Sequence, residues 1–170
     1  LKLFKYVFLT LLVAIVIGGL VPQSLHIPVR GATVNDWHQN TFWYEPWGTS
    51  GVHKGIDIFG KKGTEVLSAS SGVVLFVGQA NKGGKVVAVL GPKWRIHYYA
   101  HLQSYSISQG QWLSSGESIG TLGDTGNAKG KPAHLHYSIL SLIPLPWCAT
   151  LETQGWKKMF YLDPGKALVE

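Results

Sequence analysis

The 170-residue sequence contains one cysteine, Cys148, so no intrachain disulfide can form and any folded domain must be held by its own core, even in an oxidising compartment. Cys148 is also a poor candidate metal ligand, because an unpaired cysteine is most often simply a buried small side chain. Charged residues are sparse, 14% of the chain against 45% hydrophobic, and no long polar or low-complexity tract occurs. That composition excludes a disordered tail and favours one globular core over two full domains. No repeat of solenoid period is present. The dense basic and aromatic patches of a nucleic-acid reader are missing as well, so no nucleic-acid partner is expected. With Lys2 and Lys5 set aside, thirteen basic residues face nine acidic ones, a formal charge of +4. That mild basicity suits adhesion to a polyanionic wall or membrane face.

What is present begins with an apolar leader. Lys2 and Lys5 precede an uncharged run from Tyr6 to Val21, closed by Pro22. Its 16 residues fall between a long signal-peptide core and a membrane span, and either reading sends the chain into export. No Ala-x-Ala site occurs, although Gly18 and Gly19 offer small residues to a signal peptidase. The expectation is a signal anchor over residues 1–21, with the two lysines on the cytoplasmic side and the rest outside. The chain opens on Leu1 and its one methionine is Met159, as in a truncated or alternatively initiated product. Residues 22–35, with Pro22, Pro28 and Gly31, read as a linker, and residues 36–170 as the domain.

An aromatic stretch, Trp37, Phe42, Trp43, Tyr44 and Trp47, opens that domain and reads first as packing, second as the lip of a groove. His26 and His38 are incidental in this reading. From residue 53 to about 142 the pattern is strand and turn. Short runs rich in Val, Ile and Tyr cover Glu65 to Ser70, Gly72 to Gly78, Lys85 to Leu90, Arg95 to Leu102, Gln111 to Leu113, Ser118 to Leu122 and His134 to Leu142. Turns such as Lys82-Gly-Gly84, Ser115-Gly116 and Gly123-Asp-Thr-Gly126 separate them. The expected fold is mainly β: an antiparallel sheet folded into a small barrel or sandwich-like domain, preceded by one N-terminal hydrophobic helix. The segment from Ile143 to Glu170, starting with Pro144 and Pro146, is expected to be a loop that returns over the sheet. Within it Trp147 and Trp156 read as packing or as groove walls.

Three histidine clusters carry the chemistry: His53-Lys-Gly-Ile-Asp57, Tyr99-Ala-His101 and His134-Leu-His136. Side chains two apart on a strand share a face, so His134 and His136 point into one space while Leu135 turns to the core. The same period puts His97, Tyr99 and His101 on one face; His97 itself reads equally well as a core histidine. His53 and Asp57 are four apart, but Gly55 and the β-branched Ile56 and Ile58 argue for a turn running into a strand, from which the pair meets a metal as a loop. A catalytic zinc takes three nitrogen or oxygen ligands and keeps one position for a water whose pKa falls to near 7. Histidines left over can move that water's proton or stabilise a developing oxyanion. No His-Glu-x-x-His occurs, so a histidine must replace the glutamate base of helical zinc proteases. Spacing alone leaves open which of His134 and His136 binds metal.

Across about residues 50–140 the chain resembles the lysostaphin and LytM-type zinc endopeptidases, which cut bacterial peptidoglycan peptides. The resemblance rests on His53-Lys-Gly-Ile-Asp57, Gly72-Val-Val, His97-Tyr-Tyr-Ala-His-Leu102, Gly116-Glu-Ser-Ile-Gly120, Gly123-Asp-Thr-Gly-Asn127 and Pro132-Ala-His-Leu-His136, with Tyr161-Leu-Asp-Pro164 beyond them. It implies that His53, Asp57 and His136 bind one zinc ion, that His101 and His134 form an unliganded catalytic pair, and that the substrate is a stem peptide or cross-link of peptidoglycan. With the leader it implies an inner-membrane-anchored protein facing the periplasm or cell wall, or one secreted after signal cleavage. Two rivals stand beside the endopeptidase: a noncatalytic peptidoglycan-binding or hydrolase-activator module of the same fold, and a tethered structural β-domain. A protein activator is a further conceivable partner.

Overall fold

The apolar leader forms one continuous helix, α1 (Lys2–Leu20), with no buried residue along it. The computed structural model describes residues 2–169. By length and composition α1 is apolar enough to cross a membrane. After it the chain runs extended, bridges Val29 to Val66, and passes through the aromatic stretch before entering the sheet.

Nine strands follow: β1 (Ile56–Phe59), β2 (Glu65–Leu67), β3 (Gly72–Ala80), β4 (Gly84–Gly91), β5 (Arg95–Tyr105), β6 (Trp112–Leu113), β7 (Ser118–Leu122), β8 (His134–Ser141) and β9 (Tyr161–Leu162). All pairings are antiparallel. The main path runs β1-β8-β5-β4-β3-β6, while the far half of β5 also pairs β7, which in turn pairs β2. The path has two ends, so the sheet does not close into the barrel that the strand spacing suggested.

Alternation explains the core. Ile56 and Ile58 of β1, Leu135, Tyr137 and Ile139 of β8, Tyr99 of β5 and Val87 and Val89 of β4 turn to one side and are buried. There they meet Val66 of β2 and Ile119 and Leu122 of β7. Three polar side chains in this layer are satisfied internally: the Tyr99 hydroxyl accepts the Ala69 N–H at 2.8 Å, and His97 Nδ1 and the Tyr137 hydroxyl lie 2.7 Å apart.

The closing segment is more ordered than a covering loop. It carries the strand β9, which adds to the outer part of β8 through Ile139↔Leu162, and a short helix α2 (Pro164–Ala167). Asp163 caps α2 by accepting the N–H groups of Gly165 and Lys166, and Pro164 takes the first helical position, where no N–H is needed. A two-residue strand between Phe160 and Asp163 has no period to read, which is why the sequence pattern missed it.

Candidate metal centre and groove

The face of the sheet opposite the core carries the titratable residues. The register pairs Asp57 with His136 and Phe59 with His134, and pairs His136 with Ala100 on the other side. With Ile56 and Ile58 committed to the core, Asp57 and Phe59 must face outward beside His134, His136, Ser138 and Leu140 of β8. Asp57 thus arrives on a strand, not on the loop expected for it. His53 does come from the turn before β1. Gly55 lets that turn lie against β8: a Cβ there would sit 2.4 Å from the Tyr137 carbonyl oxygen and 2.6 Å from Ser138 Oγ.

β5 departs from simple alternation. His97 and Tyr99 point into the core, whereas Tyr98, Ala100 and His101 all line the outer face. The expectation that His97, Tyr99 and His101 share a face is therefore wrong. The cause is a register shift in the β4–β5 ladder between Lys85 and Val87, where β5 holds one extra residue. His101 sits there with φ 65°, a conformation rare for a non-glycine residue, and this turns its ring to the opposite side. His97 takes its core reading. His26 bonds through its backbone to Ala69, and His38 meets the edge of Phe59 with ring centroids 6.1 Å apart.

On the outer face three atoms converge. His53 Nε2 lies 3.1 Å from Asp57 Oδ1 and 3.1 Å from His136 Nδ1, and His136 Nδ1 lies 2.9 Å from Asp57 Oδ1. A tetrahedral zinc with bonds of about 2.0–2.1 Å has ligand–ligand edges of about 3.3 Å, so the cluster is close to metal-binding size. The remaining ring nitrogens are tied off. His53 Nδ1 donates to the Thr41 carbonyl at 3.0 Å and His136 Nε2 is 3.0 Å from Ser138 Oγ. With a cation bound, Nδ1–H on His53 and Nε2–H on His136 leave the three converging atoms as lone pairs, the donor set that a divalent ion takes. The stacked Trp47 ring, 4.0 Å from the His53 ring, holds it from the side.

Electrostatics agree with that arrangement. Burial works to raise the Asp57 pKa, but hydrogen bonding to His136 and His53 outweighs it and keeps the carboxyl ionised well below the usual carboxylate range. Burial lowers the His136 pKa, and hydrogen bonding to Asp57 offsets only part of that. An ionised carboxylate beside an imidazole whose charged form is disfavoured suits a divalent cation.

His101 and His134 stand beside the cluster without joining it. Their ring centroids are 5.0 Å apart, and His134 Nε2 is 3.9 Å from Asp57 Oδ2. Each donates Nδ1–H to a main-chain carbonyl, His101 to Thr125 at 2.9 Å and His134 to Pro132 at 2.8 Å. Burial, then the charges of His134 and His136, lower the His101 pKa to about 4. At neutral pH it is an unprotonated base.

These five residues lie at the bottom of a groove of about 800 Å³, inside the size range of substrate pockets. One rim is formed by Pro46, Trp47 and Lys54, the other by Lys82, Asn127 and Lys131. Lys54 is half-buried; burial, then the charges of Lys157 and Lys82, lower its pKa. Trp147 and Trp156 line none of it and stand 78% and 59% exposed. In the aromatic stretch Trp37 and Trp43 are core, so packing describes them, whereas Trp47 belongs to the groove. Sequence reasoning passed over Phe59, Tyr98 and Ser138. Extending the two-residue period by one step from Asp57 and His136 finds Phe59 and Ser138; nothing in the sequence points to Tyr98.

An antiparallel sheet that collects two imidazoles and a carboxylate within 3.1 Å of one another, with two further histidines alongside, makes a β domain with a candidate metal site. The model of peptidase family M23 matches residues 51–142, and the chain belongs to that family. It is 33% identical over 126 residues to the L-Ala--D-Glu endopeptidase of Bacillus subtilis, covering 69% of this chain and 37% of that protein. It is 32% identical over 97 residues to the murein hydrolase activator NlpD of Escherichia coli, covering 56% of this chain and 25% of that one. The chain thus spans between a quarter and two-fifths of the length of these relatives. Among solved structures it superposes on the catalytic domain of lysostaphin from Staphylococcus simulans with a TM-score of 0.64 and 25% identity, over 81% of this chain and 96% of that domain.

Proposed function

We propose that this protein is a zinc-dependent endopeptidase that hydrolyses peptide bonds of bacterial peptidoglycan, with His53, Asp57 and His136 holding the metal and His101 and His134 moving protons. The observation that carries the proposal is the convergence of His53 Nε2, Asp57 Oδ1 and His136 Nδ1 within 3.1 Å of one another, while His101 and His134, each tied through Nδ1 to a main-chain carbonyl, stand beside them. A bound zinc ion supplies Lewis acidity to a water molecule and to the substrate carbonyl. The remaining work falls to the chain. The His101 and His134 carbonyl contacts hold each ring in the tautomer that accepts a proton at Nε2. Once protonated, either ring can stabilise the oxyanion of the tetrahedral intermediate and return the proton to the leaving amine. Tyr98 adds a phenol to the same wall. Phe59, 5.5 Å from the His134 ring, limits the directions that ring can turn.

In the same proposal α1 anchors the chain in the inner membrane, residues 22–35 link it to the domain, and residues 36–170 face the wall. Similarity to a protein named as a murein hydrolase activator favours one rival, a noncatalytic activator of the same fold. Full-length protein in detergent, loaded with zinc and incubated with purified peptidoglycan with and without a chelator, separates the two. New amino termini that disappear with the chelator support the endopeptidase. Stoichiometric zinc without cleavage supports the activator, and absence of zinc binding rejects the metal site.

A further inference from the structure

Three lysines, Lys54, Lys82 and Lys131, line the groove beside the candidate metal centre. Arg30 pairs with Glu65, Lys62 with Asp124 and Lys158 with Glu152. Lys54, Lys82 and Lys131 line the groove with no carboxylate partner among the described residues. Asp57 is the one acidic residue in the lining, and its oxygens face the imidazoles. The groove is therefore a concave surface with cations on both rims and an acid neutralised at its base.

The placement is built into the fold. Lys54 follows His53 directly; its ammonium donates to the Ser50 carbonyl at 3.1 Å and lies 5.9 Å from the centre of the Trp43 ring, so it is held at one rim. Lys82 is in the β3–β4 turn, and its main-chain carbonyl accepts the Asn127 N–H at 2.9 Å, which fastens that turn to the loop before β8. Lys131 is in the same loop, three residues from Ala128 and three from His134. Rim cations separated by the width of a groove repel one another, and the field they leave inside attracts an anion.

We infer that Lys54, Lys82 and Lys131 make the groove selective for peptides that carry free carboxylates on either side of the scissile bond, in preference to uncharged glycine-rich strands. This rests on the endopeptidase reading of the same site. A stem peptide with a γ-linked glutamate or a diamino-diacid supplies such carboxylates; an oligoglycine bridge has none between its ends. Ammonium–carboxylate hydrogen bonds formed out of bulk water are each worth roughly ten-fold in binding. Because they form before and during the reaction alike, the preference falls mainly on KM.

The test uses the zinc-loaded full chain and two synthetic peptides of identical length, one with carboxylates flanking the cut and one with those groups amidated. The expected result is a kcat/KM at least ten-fold higher for the carboxylate peptide, carried by KM and shrinking as salt is raised. Lys82→Glu and the pair Lys82→Ala with Lys131→Ala should collapse that ratio. Equal kcat/KM for the two peptides, or a ratio untouched by these substitutions, overturns the inference. Calorimetry of both peptides on metal-free protein separates it from the parent reading. Lysine-dependent binding of the carboxylate peptide without cleavage in the zinc form keeps the anion groove and rejects the endopeptidase; equal binding of both peptides rejects the anion groove whatever the activity.

Discussion

At the scale of single residues the site is a problem of tautomers. His134 and His136 are two apart on one strand and share a face, yet their ring nitrogens are bound differently: His134 gives Nδ1–H to the Pro132 carbonyl, while His136 holds Ser138 with Nε2 and turns Nδ1 to Asp57. The sequence showed that both rings occupy one space and could not show which one faces the cluster, because hydrogen-bond partners such as Pro132 and Ser138 act only once the strand is placed. Under the proposed roles His136→Ala abolishes zinc binding, whereas His134→Ala keeps one zinc per chain and lowers kcat by about 10²–10⁴-fold, as loss of a proton-transfer group does. Equal zinc loss in both variants rejects the assignment. Ser138→Ala removes the group that orients His136 without touching the ligands. Its expected effect is a 10–100-fold weaker zinc affinity, roughly the usual cost of an outer-shell partner, measured by competition with a chelating dye.

At the scale of elements, alternation predicted β8 and failed on β5. A strict period of two requires an uninterrupted ladder, and β5 carries an extra residue opposite Val86, with His101 in the left-handed conformation. No pattern of apolar residues in His97-Tyr-Tyr-Ala-His-Leu102 reveals that irregularity, since both neighbours of His101 are apolar. The support for it comes from a turn elsewhere. The His101 N–H donates to the Gly83 carbonyl at 2.7 Å, and the Thr125 carbonyl that orients the His101 ring belongs to a loop packed on Gly84. Gly84 has φ 64°, and a Cβ there would stand 2.3 Å from Thr125 Oγ1 and 2.4 Å from the Gly126 nitrogen. Gly84→Ala therefore costs on the order of 1–3 kcal/mol of strain and shifts Thr125. The expected outcome is a lower melting temperature and a fall in kcat of about ten-fold or more, with zinc stoichiometry unchanged because His53, Asp57 and His136 lie on other elements. Unchanged kcat would show that the Thr125 contact does not govern His101.

At the scale of the whole molecule, the leader and the domain meet at a buried titratable group. The 19 residues of α1 extend about 28 Å, close to the roughly 30 Å of a bilayer's hydrocarbon. Three residues beyond α1, the Gln23 side chain reaches the sheet: its carbonyl accepts from Arg95 and its amide nitrogen lies 3.0 Å from His97 Nε2. The bond from Arg95 fixes the amide orientation, so Gln23 donates to Nε2, and His97 in turn donates Nδ1–H to Tyr137. A second proton on His97 would meet a donor and would bring charge into the core. Burial, then the Arg95 charge, accordingly lowers its pKa to about 3 from a usual value near 6.5. Between those values the unfolded chain binds the proton and the folded one does not, so this group's stability is fully present above about pH 6.5 and is lost as pH falls towards 3. The expected loss is a few kcal/mol. Chemical unfolding of the metal-free protein across that window measures it. The lowered pKa values of His101 and His136 tilt the curve in the same direction, so the informative quantity is the difference between the wild type and His97→Gln. The variant is less stable at pH 7, having lost a packed ring, but its stability should fall less steeply on acidification. Parallel curves would mean that His97 is protonated in the folded protein and that the Gln23–His97–Tyr137 chain is not its neutral anchor.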